Sequence, residues 1–286
     1  MVQTILAAVD VSRASHLAFK QALVLASSMR AELVTVAVTP RYEGNMNRLT
    51  LKDADTKMSV PFLKCLEDAA DYAASLGLKI STVHRVGQPS EEIVRVAEEV
   101  NAKYVLLGSP HRSQVERVLL GRTIAKVIEE SPCDVLLIPE SAEIRFGKIL
   151  VGVNGSKASM RAAERAMEVS REYGGQLHGV TTIDVPVERS LRYGVMNEAW
   201  QKGLAVLEKF THLAEEMEVP VVTALREDHP KQALLAYAAE KDIHLIVLGS
   251  HGHNWVNEFF VDSVIERVAS NASCPVLVVN GPAQAD

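Results

Sequence analysis

Cysteine is scarce in this sequence: Cys65, Cys133 and Cys274 are the only three among 286 residues. They form no spacing motif, and an odd, sparse count is typical of reduced thiols in a cytoplasm. Cys133 and Cys274 each open an apolar stretch, which favours small buried residues over reactive thiols. We therefore expect a cytoplasmic protein whose cysteines stay reduced.

Long apolar runs and blocks of basic residues are also lacking. No apolar run reaches the roughly 18 residues that span a bilayer, and the stretch from Val2 to Val9 is too short for a signal-peptide core with its flanks. The formal net charge is −6, from 30 basic and 36 acidic side chains. We therefore expect neither a membrane partner nor a nucleic-acid partner.

Motifs of common catalytic and metal sites are missing as well. The chain has no Walker A motif, no Gly-x-Ser-x-Gly elbow and no evident cysteine-histidine pairing. His251 and His253 lie two residues apart without a third ligand, which is more typical of exposed histidines than of a metal site. We expect no bound metal and no dedicated enzyme.

The chain does contain an internal repeat. Residues 104–138 recur at 245–279, so that Leu107 matches Leu248 and Gly108 matches Gly249 at a separation of 141 residues. Each copy has the pattern of a buried strand, a Gly-Ser turn, a long loop, a short helix and a last buried strand. The beginning of the chain repeats too, because the strand pattern of Gln3 to Val9 recurs at Lys148 to Val153.

A period this long, with strands alternating with helices, predicts two tandem α/β domains. We place them at residues 1–140 and 147–281. Each is expected to hold a five-stranded, parallel, doubly wound sheet of Rossmann-like type, in the strand order 3-2-1-4-5. The two domains are expected to be related by an internal pseudo-twofold axis.

The fifth strand of each predicted sheet is an apolar edge strand. Because a bare apolar edge invites pairing, we predict a pseudo-dimer within the chain through Val135–Ile138 and Val276–Val279. A homodimer of the whole chain is a further assembly that this pattern leaves open.

The predicted strand order makes strands 1 and 4 neighbours. Asp10 and Gly108 end these strands in the first half, and Asn154 and Gly249 end them in the second. Ligands of such sheets bind at the carboxyl ends of the strands, where the order reverses. A strand that ends in Gly-Ser and leads towards a helix start is a common phosphate-binding arrangement.

These residues resemble the universal stress protein family, and the resemblance covers both halves. In nucleotide-binding members, strand 4 is followed by Gly-x-x-Gly, nine residues and Gly-Ser or Gly-Thr, and an aspartate ends strand 1 near the adenine or ribose. The resemblance implies a tandem member that acts as a regulatory or protective module in the stress response. It also implies ATP, ADP or AMP as the ligand.

The first half keeps Asp10, Gly108 and Gly121 of this pattern but has His111 for the second glycine and Arg122 for the hydroxyl residue. A guanidinium at a helix start is well suited to phosphate. The nucleotide site that the resemblance implies in this half comprises Ala8, Asp10, Val38, Gly108, Gly121, Arg122 and Thr123.

The second half is the weaker candidate. It keeps Gly249, Gly252 and Ser263, but Asn154 replaces the aspartate and Asp262 replaces the third glycine. The carboxylate of Asp262 would repel a phosphate at close range. We therefore expect any nucleotide in the first half.

Two other functions remain open. One is a nucleotide-free scaffold that works through its dimer and partner surfaces. The other is a weak ATP hydrolase, for which His111 is the one candidate general base.

Overall fold

The structure is a computed structural model, and it describes residues 2–41, 54–109, 120–184, 195–250 and 263–281. The chain divides into two compact units, with the boundary between Ser141 and Ala142. Each unit is built from strands that alternate with helices.

The first unit contains five strands and four helices in its described part. In chain order they are β1 (Thr4–Ala8), α1 (Arg13–Met29), β2 (Glu32–Pro40), α2 (Ala54–Ser75), β3 (Ser81–Gly87), α3 (Pro89–Glu99), β4 (Ala102–Ser109), α4 (Arg122–Glu130) and β5 (Asp134–Pro139). All neighbouring strands are parallel and follow the order β3-β2-β1-β4-β5.

The second unit repeats this arrangement. Its elements are β6 (Lys148–Gly152), α5 (Lys157–Tyr173), β7 (Gln176–Ile183), α6 (Val195–Glu216), β8 (Val221–Glu227), α7 (Pro230–Lys241), β9 (Leu245–Gly249), α8 (Ser263–Asn271) and β10 (Val276–Val279). Its parallel strands follow the equivalent order β8-β7-β6-β9-β10. The predicted α/β class with parallel sheets is confirmed.

The strands are apolar because helices cover both faces of a parallel sheet. Ile5 and Leu6 of β1 are fully buried, as are Ile149 and Leu150 of β6. All residues of β5 and β10 are buried. Burial of these continuous apolar runs provides the main free energy that holds each unit together.

The first helix of each unit begins and ends in the same way. Ser12 caps α1 and Ser156 caps α5, each accepting a hydrogen bond from a backbone N–H three residues later. Such caps satisfy a donor that the helix itself leaves free. Both helices end at a residue in the left-handed region, Arg30 with φ 51° and Gly174 with φ 70°.

Strand registers match between the units. Ala8 pairs with Val36 in the first unit, and Gly152 pairs with Val180 in the second. Each residue of the second pair lies 144 positions after its counterpart in the first. The separation found in the sequence therefore holds for the backbone of the first two strands. It allows residues of one unit to be matched to those of the other.

Two local expectations need correction. Helix α2 begins at Ala54, earlier than the start near Met58 that the helical spacing of its apolar residues indicates, because its first turn is polar. Cys133 is half-buried and precedes β5, although Cys274 is buried as expected. Within the described residues, no helix is long and apolar enough to cross a membrane.

Candidate functional site

A cleft opens at the carboxyl ends of β6, β7 and β9 in the second unit, with a volume of about 110 Å³. Strand-end residues form one side of it, among them Gly152, Asn154 and Gly249. Leu234 of α7 and Val264 of α8 form another part of its lining. The cleft therefore lies where ligands of doubly wound sheets bind.

Five residues of this cleft are the repeat counterparts of residues that the sequence assigns to the first-unit site. Gly152, Asn154, Thr182, Gly249 and Val264 line the cleft, and they match Ala8, Asp10, Val38, Gly108 and Thr123 of the first unit. The ranking of the first half above the second stays a prediction.

Asp10 lies at the carboxyl end of β1 and its side chain is exposed. Its Oδ1 accepts a hydrogen bond from the Ser12 N–H at 2.8 Å, and its own N–H donates to Ser15 Oγ at 3.0 Å. The Ser15 hydroxyl donates to the Asp10 carbonyl at 2.9 Å. The carboxylate is thus held in a turn at the start of α1 through one of its two oxygens.

Asn154 occupies the same kind of turn in the second unit. Its Oδ1 accepts a hydrogen bond from the Ser156 N–H at 3.0 Å, and its N–H donates to Ser159 Oγ at 3.2 Å. The change from aspartate to asparagine therefore keeps the turn and removes the negative charge. The two turns share these hydrogen bonds but differ in charge, and Gly155 gives the second turn a residue with φ 80° where the first has Val11.

Gly108 and Gly249 have a packing role that the sequence alone does not indicate. A Cβ at Gly108 would lie 2.3 Å from the carbonyl carbon of Ala14, and one at Gly249 would lie 2.1 Å from the oxygen of Ala158. Strands β4 and β9 approach the first turns of α1 and α5 too closely for any side chain. Both glycines are therefore required by strand–helix packing, whether or not a ligand binds.

The start of α4 presents backbone N–H groups. Gly121 is its N-cap, with φ −56°, and no side chain among the described residues caps this end of the helix. Arg122 is exposed and Thr123 is half-buried. Uncapped N–H groups and the positive end of the helix dipole favour an anion there.

Several predicted positions lie outside the described residues. They include His111, Gly252, Asp262 and the histidines His251 and His253. Ser263 begins α8. Within the described residues, no group of three or more side chains could hold a metal ion.

Sequence reasoning missed some residues of the site. Ser15 and Ser159 anchor the turns around Asp10 and Asn154, and Pro230 at the start of α7 lines the second-unit cleft. The shared spacing of each serine, five residues after the acidic or amide side chain, is a signal that could have indicated the first two.

Comparison with known proteins identifies the family of this chain. A model of the universal stress protein family matches residues 1–139 and again residues 145–280. A universal stress protein of Methanocaldococcus jannaschii is 32% identical over 152 residues, which is 51% of this chain and 88% of that protein. Another from Mycobacterium bovis is 26% identical over 224 residues, or 76% of this chain and 73% of that protein.

A solved structure agrees in fold over nearly the full length. The crystal structure of a universal stress protein from Archaeoglobus fulgidus covers 97% of this chain and 98% of its own, with a TM-score of 0.76 and 22% identity. The two family matches together span most of the sequence. The chain belongs to the universal stress protein family, with one family domain in each half.

Proposed function

We propose that this chain is a cytoplasmic tandem universal stress protein that regulates or protects through an adenine nucleotide bound in its first unit. The observation that carries the proposal is the uncapped start of α4, which presents exposed Arg122 next to the glycine N-cap Gly121. The three free cysteines agree with a reducing compartment.

The phosphate end of the proposed site is the first turn of α4. No described side chain caps its backbone N–H groups, and the guanidinium of Arg122 adds a full positive charge. Arginine binds phosphate oxygens through two parallel hydrogen bonds. In the second unit, the first turn of α8 lines the cleft through Val264 and Ile265, and the counterpart of Val264 is Thr123.

The base and ribose end is the carboxyl end of β1 and β2. The exposed carboxylate of Asp10 can accept hydrogen bonds from a ribose hydroxyl or an adenine amino group. Buried Val38 and half-buried Ala8 offer an apolar surface for the base. Most ligand pockets combine such an apolar wall with a few polar groups.

The second unit is the weaker nucleotide site in this proposal. Its cleft has Asn154 where the first unit has Asp10, and Val264 where the first unit has Thr123. None of the described residues that line it is positively charged. A phosphate would therefore meet less favourable charge there than beside Arg122.

Calorimetric titration with ATP, ADP and AMP tests the proposal. We expect one nucleotide to bind per chain, with affinity reduced about tenfold or more in Arg122→Ala and in Asp10→Ala, since each removes a charge-assisted hydrogen bond. Asn154→Ala is the matched control and is expected to leave the affinity unchanged. Tight binding that only Asn154→Ala weakens would move the site to the second unit and overturn the assignment.

A nucleotide-free scaffold is the second candidate function, and the packing of Gly108 and Gly249 favours it. Both glycines are explained by close contact with a helix, so their presence does not require a phosphate. A scaffold would produce no heat with any of the three nucleotides and would keep the same melting temperature in their presence.

We further propose that the chain is not a dedicated enzyme. A basic helix start can bind a phosphate, but hydrolysis needs a positioned base. We expect no steady turnover of ATP. Steady hydrolysis that disappears in His111→Ala would contradict this expectation.

A further inference from the structure

A second cavity, with a volume of about 160 Å³, lies between α1 and α2 in the first unit. Its interior is formed by Val9, Phe19, Cys65 and Ala69, which are all buried. Apart from Val9, none of these residues matches a residue of the second-unit cleft. This cavity, called the α1–α2 cavity below, is therefore separate from the proposed nucleotide site.

The interior of the α1–α2 cavity is electrically neutral. Three of its four interior side chains are hydrocarbon. The fourth is Cys65, and burial together with the negative charges of Asp10 and Asp68 raises the pKa of its thiol. The thiol is therefore protonated at neutral pH and behaves as a small apolar group.

The rim of the α1–α2 cavity carries charges that already have partners. The Lys20 ammonium lies 5.0 Å from the centre of the Tyr72 ring, so it connects α1 to α2 by a cation–π contact. Asp68 pairs with Lys64 at 2.9 Å. The remaining rim residue is His16, which is exposed. The charged groups therefore lie at the rim of the cavity, and its interior side chains carry no charge.

The second unit is packed differently at the position that matches Ala69. Phe210 stands where the first unit has Ala69, and it is fully buried. It lies against Gly179, where an added Cβ would be 2.3 Å from its ring. The first unit has Thr35 at the position of Gly179, so an aromatic ring could not enter the same way. The two units therefore pack α2 and its counterpart α6 against the sheet with different side chains.

We propose that the α1–α2 cavity is a binding site for an uncharged, apolar molecule about the size of one aromatic ring. Its volume is close to the roughly 150 Å³ of apolar protein cavities that bind benzene. Such a ligand would lie against Phe19 and Ala69 and would cover the Cys65 thiol. Any polar group of the ligand would point to the exposed rim near His16.

Phenol tests the site because it is ring-sized, water-soluble and neutral at pH 8. Ligand-detected NMR is expected to report its binding, with benzoate and benzylamine, its charged analogues, binding about tenfold or more weakly since each must lose hydration to enter. Alkylation of Cys65 by iodoacetamide, followed by mass spectrometry, is expected to slow as phenol occupies the cavity. Cys133 and Cys274 serve as internal references.

Two variants close the α1–α2 cavity in different ways. Ala69→Leu adds three carbon atoms at the wall of the cavity, and Ala69→Phe places a whole aromatic ring there. Both are expected to abolish phenol binding. Leu63→Met on the exposed face of α2 is the control and is expected to bind phenol like the original chain.

Three outcomes would overturn the proposal. In the first, phenol neither binds nor protects Cys65 in the original chain, a measurement that does not depend on any variant folding. In the second, phenol binds equally well to both filled variants. In the third, benzoate or benzylamine binds more tightly than phenol, which would mean that the cavity selects a charge.

Discussion

At the scale of single residues, the repeat provides matched positions that are buried in both units but carry different side chains. The clearest examples are two pairs of matched positions in the core. Val34 and Val96 of the first unit match His178 and Tyr237 of the second, and all four are buried. The second unit therefore holds a titratable group where the first has only hydrocarbon.

His178 is expected to make the stability of the second unit depend on pH. Its Nδ1 lies 2.9 Å from the Tyr237 hydroxyl, and burial together with the charges of Lys148 and Lys241 lowers its pKa below the ordinary value near 6.5. The unfolded chain then binds the proton more readily than the folded chain. The free energy of unfolding should therefore decrease as the pH falls below about 6.5, the ordinary histidine value.

We expect the double variant His178→Val with Tyr237→Phe to lose this part of the pH dependence. It removes the titratable ring and leaves no buried hydroxyl without a partner. Urea unfolding of the second unit at pH 7.5 and pH 5 measures the effect. An equal loss of stability on acidification in the original chain and in the double variant would show that His178 is not the responsible group.

At the scale of elements, each unit is assembled around the contact between its fourth strand and its first helix. Gly108 of β4 and Gly249 of β9 allow this contact. An ion pair connects the third strand of each unit to the helix that follows it. Arg85 of β3 pairs with Glu99 of α3, and Arg226 of β8 pairs with Glu240 of α7, each at 2.6 Å. These exposed pairs repeat, but surface ion pairs add little stability.

Replacing either glycine by alanine is expected to destabilise its unit. The added Cβ would overlap backbone atoms at 2.3 Å in Gly108→Ala and at 2.1 Å in Gly249→Ala, so the strand or helix must shift. Overpacking of this kind costs about 1–3 kcal/mol or more. Urea unfolding with a probe in each unit measures the loss.

Gly121→Ala is the matched control for this experiment. An added Cβ at Gly121 meets no atom within 4 Å, and its φ of −56° suits any residue. Alanine is a poorer N-cap than glycine, so the expected loss of stability is at most about 1 kcal/mol. If Gly108→Ala were as mild as Gly121→Ala, the close approach of β4 and α1 would not be a constraint on the fold.

At the scale of the whole molecule, the two copies are expected to respond differently to nucleotide. Ligand that binds only the folded first unit stabilises it by about 2.7 kcal/mol at 100 times Kd. Amide hydrogen exchange should then slow in the segments around Asp10 and Gly121, and the segment around Asn154 should be unchanged. Protection around Asn154 instead would mean that the second unit is the one that binds.

Much of this organisation could be predicted before any coordinates. The alternation of apolar runs with helical spacing indicated strands and helices, and the turn residues after β1 and β6 indicated where Asp10 and Asn154 lie. The start of α2 at Ala54 was missed because a polar first turn resembles a loop in sequence. The packing role of Gly108 was missed because its partner, Ala14, lies far away in the chain.

The two copies and the succession of strands and helices in each could be read from the amino-acid sequence, and the ligand-binding edge of each sheet is a prediction from the same pattern. These properties follow from local periodicity and from repetition, which need no knowledge of distant contacts. Folding alone shows that Pro230 and Leu234 join Asn154 in one cleft, and that Cys65 and Ala69 of α2 line a cavity with Phe19 of α1. Packing brings together side chains from separate elements, and their volumes and distances exist only once the chain has folded.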